Sequence, residues 1–208
     1  MANGFNPVFS GFLHNATHMA PYYKIFYFCE ANNKKMELLD LYDNQLRMTG
    51  QIIERGQRIP NGLMIPIVAV FVYNDQGLLL IQKVSAQKGG YYATTAGHVK
   101  SGETDFVSAM LRELREEIGI SASRSELHLV KIRKFDYKFT FLYTLKCDIP
   151  AESLLLQEEE VESVKWMNRN EIEQLCKDGL FQRAHYQLLL DCRDRIPFRK
   201  GKNRFIAK

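Results

Sequence analysis

The stretch from Gly97 to Ile120, GHVKSGETDFVSAMLRELREEIGI, constrains the fold of this chain more than any other. A loop with two glycines runs into a helical repeat that stops at a third. At about 100° per residue, Val107, Leu111, Leu114 and Ile118 share one stripe, which must face a core. Gly119 stands where a helix ends in a left-handed turn. Glu113, Glu116 and Glu117 lie on a second arc, roughly opposite the stripe. Carboxylates this close repel one another. Water, a neighbouring Arg112 or Arg115, or a divalent cation can relieve that repulsion. On the helix pattern alone, a solvated acidic face is the ordinary outcome. The preceding loop shifts the balance, because Gly97, Gly102 and Glu103 allow backbone groups and one more carboxylate to fold over the glutamates. Ligands that are all oxygen select Mg²⁺ or Mn²⁺.

The flanking sequence supplies a sheet for that stripe to pack on. MELLDLYDNQ from Met36 reads as a strand closed by a turn at Asp43–Asn44. IPIVAVFVYNDQGLLLIQKV from Ile65 reads as two apolar runs joined by the turn residues Asn74–Gly77, a hairpin pattern. YYATTA from Tyr91 is a short strand. ELHLVKIRKF, YKFTFLYTLKC and EVESVKWMN are rich in aromatic and β-branched residues and read as three more. RNEIEQLCKDG and FQRAHYQLLLDCRDR read as two closing helices, the first with Asn170 as its N-cap and Gly179 as its stop. Strands on both sides of a central helix, followed by helices, give an α+β domain.

Composition adds limits. The 208 residues are 46% hydrophobic and 25% charged, which argues against general disorder. IPIVAVFVY is the longest apolar run and is strand-sized, so no membrane span is expected. Residues 1–35 read as an extension without the layout of a signal peptide, residues 36–192 as the domain, and residues 193–208 as a basic tail. That tail holds seven Lys/Arg against one Asp. A solvated terminus is the simpler reading of it, and nucleic acid is not the expected partner. Cys29, Cys147, Cys176 and Cys192 are scattered without a CxxC pair, which points to free thiols and a cytoplasmic address.

The Gly97–Ile120 stretch resembles the Nudix box. Gly97 and Glu103 match its opening, and Arg112, Glu113, Leu114, Glu116, Glu117, Gly119 and Ile120 match its closing half without a gap. Eight residues separate Glu103 from Arg112 where the pattern has seven. The apolar stripe keeps register from Val107 onward, so the additional residue falls near Thr104–Asp105, and counting back from Arg112 lands on Thr104. The likeness spans about Met36 to Asp191 and is similar to the isopentenyl-diphosphate-isomerase-like branch. YYATTAGH lacks the cysteine that the true isomerases carry, which disfavours isomerase chemistry.

The resemblance implies an α/β/α sandwich with a mixed sheet around a catalytic loop-helix-loop. It also implies Mg²⁺-dependent hydrolysis of a diphosphate linkage, commonly in a nucleoside diphosphate derivative. Glu113, Glu117 and Glu116 are then the metal ligands, joined by the backbone carbonyl of Gly97. Glu116 is the candidate base, and Arg112 orients Glu103 or a neighbouring glutamate. His98, Lys83 and Glu160 are candidates for substrate contact; each also has an ordinary structural use. A homodimer is admissible. A non-catalytic module that binds nucleotide or RNA is the alternative, and the complete glutamate cluster counts against it.

Overall fold

The computed structural model describes residues 36–197. The expected extension 1–35 and most of the basic tail lie outside them. Among the described residues nine strands and three α-helices follow in the order β1 (Leu38–Tyr42), β2 (Met48–Glu54), β3 (Ile65–Tyr73), β4 (Leu79–Val84), β5 (Tyr92–Ala93), β6 (Thr95–His98), α1 (Phe106–Ile118), β7 (Leu127–Phe135), β8 (Lys138–Lys146), β9 (Val161–Met167), α2 (Arg169–Lys177) and α3 (Arg183–Cys192).

The sheet is mixed. Its main path runs β5-β4-β3-β8-β7, with β6 on β3 and β9 on β4. β3 and β8 are parallel in unbroken register from Ile65↔Lys138 to Tyr73↔Lys146, whereas the other pairs are antiparallel. β3 is apolar almost throughout because both of its faces are covered. Val68, Val70 and Val72 pack with Met110, Leu114 and Ile118 of α1. Ala69 and Phe71 pack with Ile172 of α2 and with Leu188 and Leu189 of α3. Helices therefore lie on both faces of one mixed sheet, as an α/β/α sandwich requires. Among the described residues no helix is long and apolar enough to cross a membrane.

β1 and β2 form a separate two-stranded sheet. Leu39 and Leu41 of β1 pack against Ile65 at the start of β3. The sequence reading anticipated β1 but assigned nothing to β2. The reason is physical: MTGQIIE is exposed along most of its length and lacks the alternation that a half-buried strand shows.

The closing helices begin and end where their caps dictate. α2 is capped by Asn168, whose side chain accepts from the Glu171 amide while Glu171 answers in a reciprocal capping box. This corrects the expected cap, because Asn170 already lies inside the helix. Gly179 follows the helix with φ 71°, as its stop residue should. Cys147, Cys176 and Cys192 are free thiols.

Candidate active site

The site is built where α1 crosses the sheet at β6. Asp105 caps α1, accepting from the Val107 amide, and Gly119 ends it at φ 71°. The helix starts at Phe106, so the additional residue before Arg112 is absorbed ahead of the first turn and the register of the glutamates is undisturbed. Gly97 on β6 sits opposite Val68, on the face that carries α1. A Cβ at Gly97 would collide with the Glu113 carboxylate. The glycine thus leaves room for that carboxylate against the strand.

This contact sets the arc apart from the solvated acidic face that helix pattern alone would give. Glu113 and Glu117 are each only 7% exposed, because the sheet continues past the apolar stripe and covers them. Glu116 alone of the three faces outward, with 46% of its side chain accessible.

Arg112 is the hub. Its Nε and Nη2 donate to the two oxygens of Glu103 at 2.7 and 2.9 Å, a bidentate pair. Its Nη1 donates to Glu113 at 2.7 Å and to Glu116 at 3.0 Å. Nη2 also reaches the His98 carbonyl at 3.1 Å. Glu103 therefore reaches Arg112 despite the altered spacing. Burial pushes its carboxyl up, but the Arg112 hydrogen bonds and the Lys100 amide outweigh that and leave it below its ordinary value.

Glu113 and Glu117 behave differently. Burial raises the Glu113 carboxyl above its usual range, although Arg112 opposes the rise. Burial, then the charge of Glu113, pushes Glu117 up to about 8. Two desolvated carboxylates with too little positive charge between them are a site poised for a cation.

Two residues that the sequence reading missed hold the arrangement. Gln82 of β4 is buried; its Nε2 donates to Glu117 at 3.2 Å, and its Oε1 accepts from the Thr95 hydroxyl at 3.0 Å. The Thr95 hydrogen bond fixes the amide so that its donor side meets Glu117. Asp40 of β1 anchors the loop, accepting from the Ser101 hydroxyl at 2.7 Å and the Gly102 amide at 2.8 Å. These partners are 35 and about 60 residues apart in the chain, so no local spacing could reveal them.

The remaining candidates separate. Glu160 is ion-paired to Lys88, and its charge is close enough to raise Glu117. Glu158 and Glu159 are exposed. Lys83 follows Gln82 on β4 and so takes the other face, where its ammonium pairs with Glu162 at 2.6 Å. His98 likewise lies on the opposite face of β6 from Gly97. Burial, then the charge of Arg55, lowers its imidazole to about 4. Lys83 and His98 are therefore not brought to the glutamate cluster.

Among the described residues no group of three or more His, Cys, Asp or Glu side chains forms a ready-made metal cage. Mg²⁺ does not ask for one. It keeps several waters and takes one or two protein carboxylates together with substrate phosphates. The all-oxygen donor set, two buried carboxylates and the side-chain-free position at Gly97 fit that mode.

Residues 64–190 match the family model described as the NUDIX domain. An uncharacterised Nudix hydrolase of Listeria monocytogenes is 31% identical over 150 residues, covering 70% of this chain and 88% of its own. The crystal structure of DR0079 from Deinococcus radiodurans superposes with TM-score 0.63 at 21% identity, covering 76% of this chain and 99% of that one. A bifunctional NMN adenylyltransferase/ADP ribose pyrophosphatase of Francisella tularensis, complexed with AMP and a Mn ion, gives TM-score 0.51 at 19% identity, covering 68% of this chain and 43% of that one.

Proposed function

This chain belongs to the Nudix hydrolase family, and we propose that its 36–192 domain hydrolyses a phosphoric anhydride bond of a nucleoside diphosphate derivative in a Mg²⁺-dependent reaction. The observation that carries this reading is the pair of buried, mutually repelling carboxylates Glu113, held by Arg112 beside Gly97, and Glu117, held by Gln82. A protein that merely bound a diphosphate would be hindered by such a pair.

Glu113 and Glu117, with Glu116 and the Gly97 carbonyl, are the groups that would hold Mg²⁺ or Mn²⁺. Bound there, the ion supplies charge neutralisation at the diphosphate oxygens and a more acidic water. The protein groups do the rest. Arg112 keeps Glu113, Glu116 and Glu103 at fixed angles, so no reorganisation is needed when charge develops at phosphorus. Gln82 directs one oxygen of Glu117. Glu116, reached by solvent, accepts the proton of the attacking water as its oxygen bonds to phosphorus and the anhydride P–O bond breaks. Lys88 and Glu160, paired with each other, put one charge of each sign close enough for Glu117 to feel both. The Francisella fold neighbour, with AMP and Mn bound, carries the two kinds of partner that this reading calls for.

The test is phosphate or nucleotide release from a panel of nucleoside diphosphate derivatives, with and without Mg²⁺, for wild type and Glu117→Gln. Wild type should turn over only with the metal. Glu117→Gln should lose on the order of 10²-fold or more in kcat, the scale of removing one group that stabilises transition-state charge, with an unchanged circular dichroism spectrum. Wild-type turnover by the variant, or turnover indifferent to metal, would remove the proposal.

A further inference from the structure

A groove of about 840 Å³ opens beside His98. Neighbouring residues of a strand point to opposite faces, and Gly97 abuts Glu113, so this groove lies across β6 from the glutamate cluster. Its volume falls within the range of small-molecule sites, about 300–1,000 Å³. Leu39 and Ile65 supply apolar lining. The loop 55–63 forms one wall and the β7–β8 turn the other.

The charge of the lining is one-sided. Arg55, Arg58, Lys134 and Lys138 all line it, against a single carboxylate, Asp136. Arg55 is spoken for by Glu37 at 2.6 Å. The other three cations form no ion pair among the described residues. Lys134 lies over the Phe139 ring and Lys138 over the Tyr137 ring, at 5.7 and 5.2 Å. Lys134 also donates to the Asn44 carbonyl at 3.4 Å, and neither ammonium is paired with a carboxylate among the described residues.

We propose that this groove is a binding site for a small phosphate-bearing polyanion, separate from the carboxylate centre. Like charges gathered on low-dielectric walls focus the field inside a cleft and concentrate anions there. Arg58 offers a planar fork that matches a phosphoryl group, and Lys138 adds a point charge that suits a second one. The apolar lining accommodates the carbon skeleton that such an ester carries. This site does not depend on the hydrolase reading, since none of its groups touches Glu113, Glu116 or Glu117.

The experiment is calorimetric titration of the full chain with pyrophosphate and, separately, with citrate, in EDTA so that the carboxylate centre cannot capture phosphate through a metal. Wild type should bind pyrophosphate saturably with a Kd of roughly 1 mM or tighter, more weakly as salt rises. Arg58→Ala combined with Lys138→Ala should weaken binding at least about tenfold, and the charge-keeping pair Arg58→Lys with Lys138→Arg should restore most of it. Glu117→Gln should bind like wild type, so a failed hydrolase assay and a failed groove are told apart. Absence of saturable binding, binding unchanged in the alanine pair, or citrate binding more tightly than pyrophosphate would each overturn the assignment.

Discussion

Glu117 shows how far burial governs the character of a single residue here. The same side chain on an open helix would be charged at neutral pH. With its carboxyl held at about 8 by burial and by Glu113, it takes up a proton on folding. Its folded pKa lies above the unfolded one, so its contribution to stability is complete below the unfolded value and is lost as pH rises through about 8. In EDTA, chemical denaturation should therefore show stability declining from about pH 5 to pH 9, by at most about 1.4 kcal/mol per pH unit for this group. Glu117→Gln should flatten that slope. Gln82 is the residue to alter next. Gln82→Leu keeps the bulk but removes the donor to Glu117 and leaves the Thr95 hydroxyl without its acceptor. Mn²⁺ affinity, read by calorimetry, should fall by about tenfold or more, as it does when a group that orients a metal ligand is lost. Unchanged affinity would make Gln82 a packing residue only.

At the scale of elements, the site depends on where α1 begins and ends. Gly119 has φ 71°, and an added Cβ would meet Leu155 backbone and side-chain atoms at 3.0 Å. Gly119→Ala should therefore destabilise the domain by about 2 kcal/mol from the left-handed conformation alone, measured as a lower urea midpoint, before the Leu155 contact is added. Much of this element was legible in the sequence: the stripe, the stop at Gly119 and the Nudix-like spacing all concern neighbours within a few turns. The burial of Glu113 and Glu117 was not legible, because helical phase says which residues share a face but not how far a sheet extends over it. β2 escaped for a related reason, since an exposed strand has no pattern imposed by a core.

At the scale of the whole molecule, the proposed metal site would link ion binding to folding. An ion that binds only the folded state at a hundred times its Kd adds about 2.7 kcal/mol. In a domain of this size that raises the melting temperature by roughly 5–10 °C. Mg²⁺ or Mn²⁺ should produce this shift in differential scanning fluorimetry for wild type, and Glu113→Gln with Glu117→Gln should abolish it. A shift that survives the double substitution would place the metal elsewhere. The carboxylate cluster and the basic groove also separate at this scale. β6 divides them, presenting Gly97 to α1 and His98 to the basic groove, because adjacent residues of a strand cannot share a face.

The sequence by itself determined the carboxylate helix, its stop at Gly119, the α+β class and the family resemblance, since each rests on interactions between residues a few positions apart. Tertiary structure alone decided that Glu113 and Glu117 are buried, that Asp40 and Gln82 hold the site, and that His98 and Lys83 face away from it. Those outcomes depend on which strands become neighbours and which face each presents, and a chain's local spacing carries no record of partners that meet only on folding.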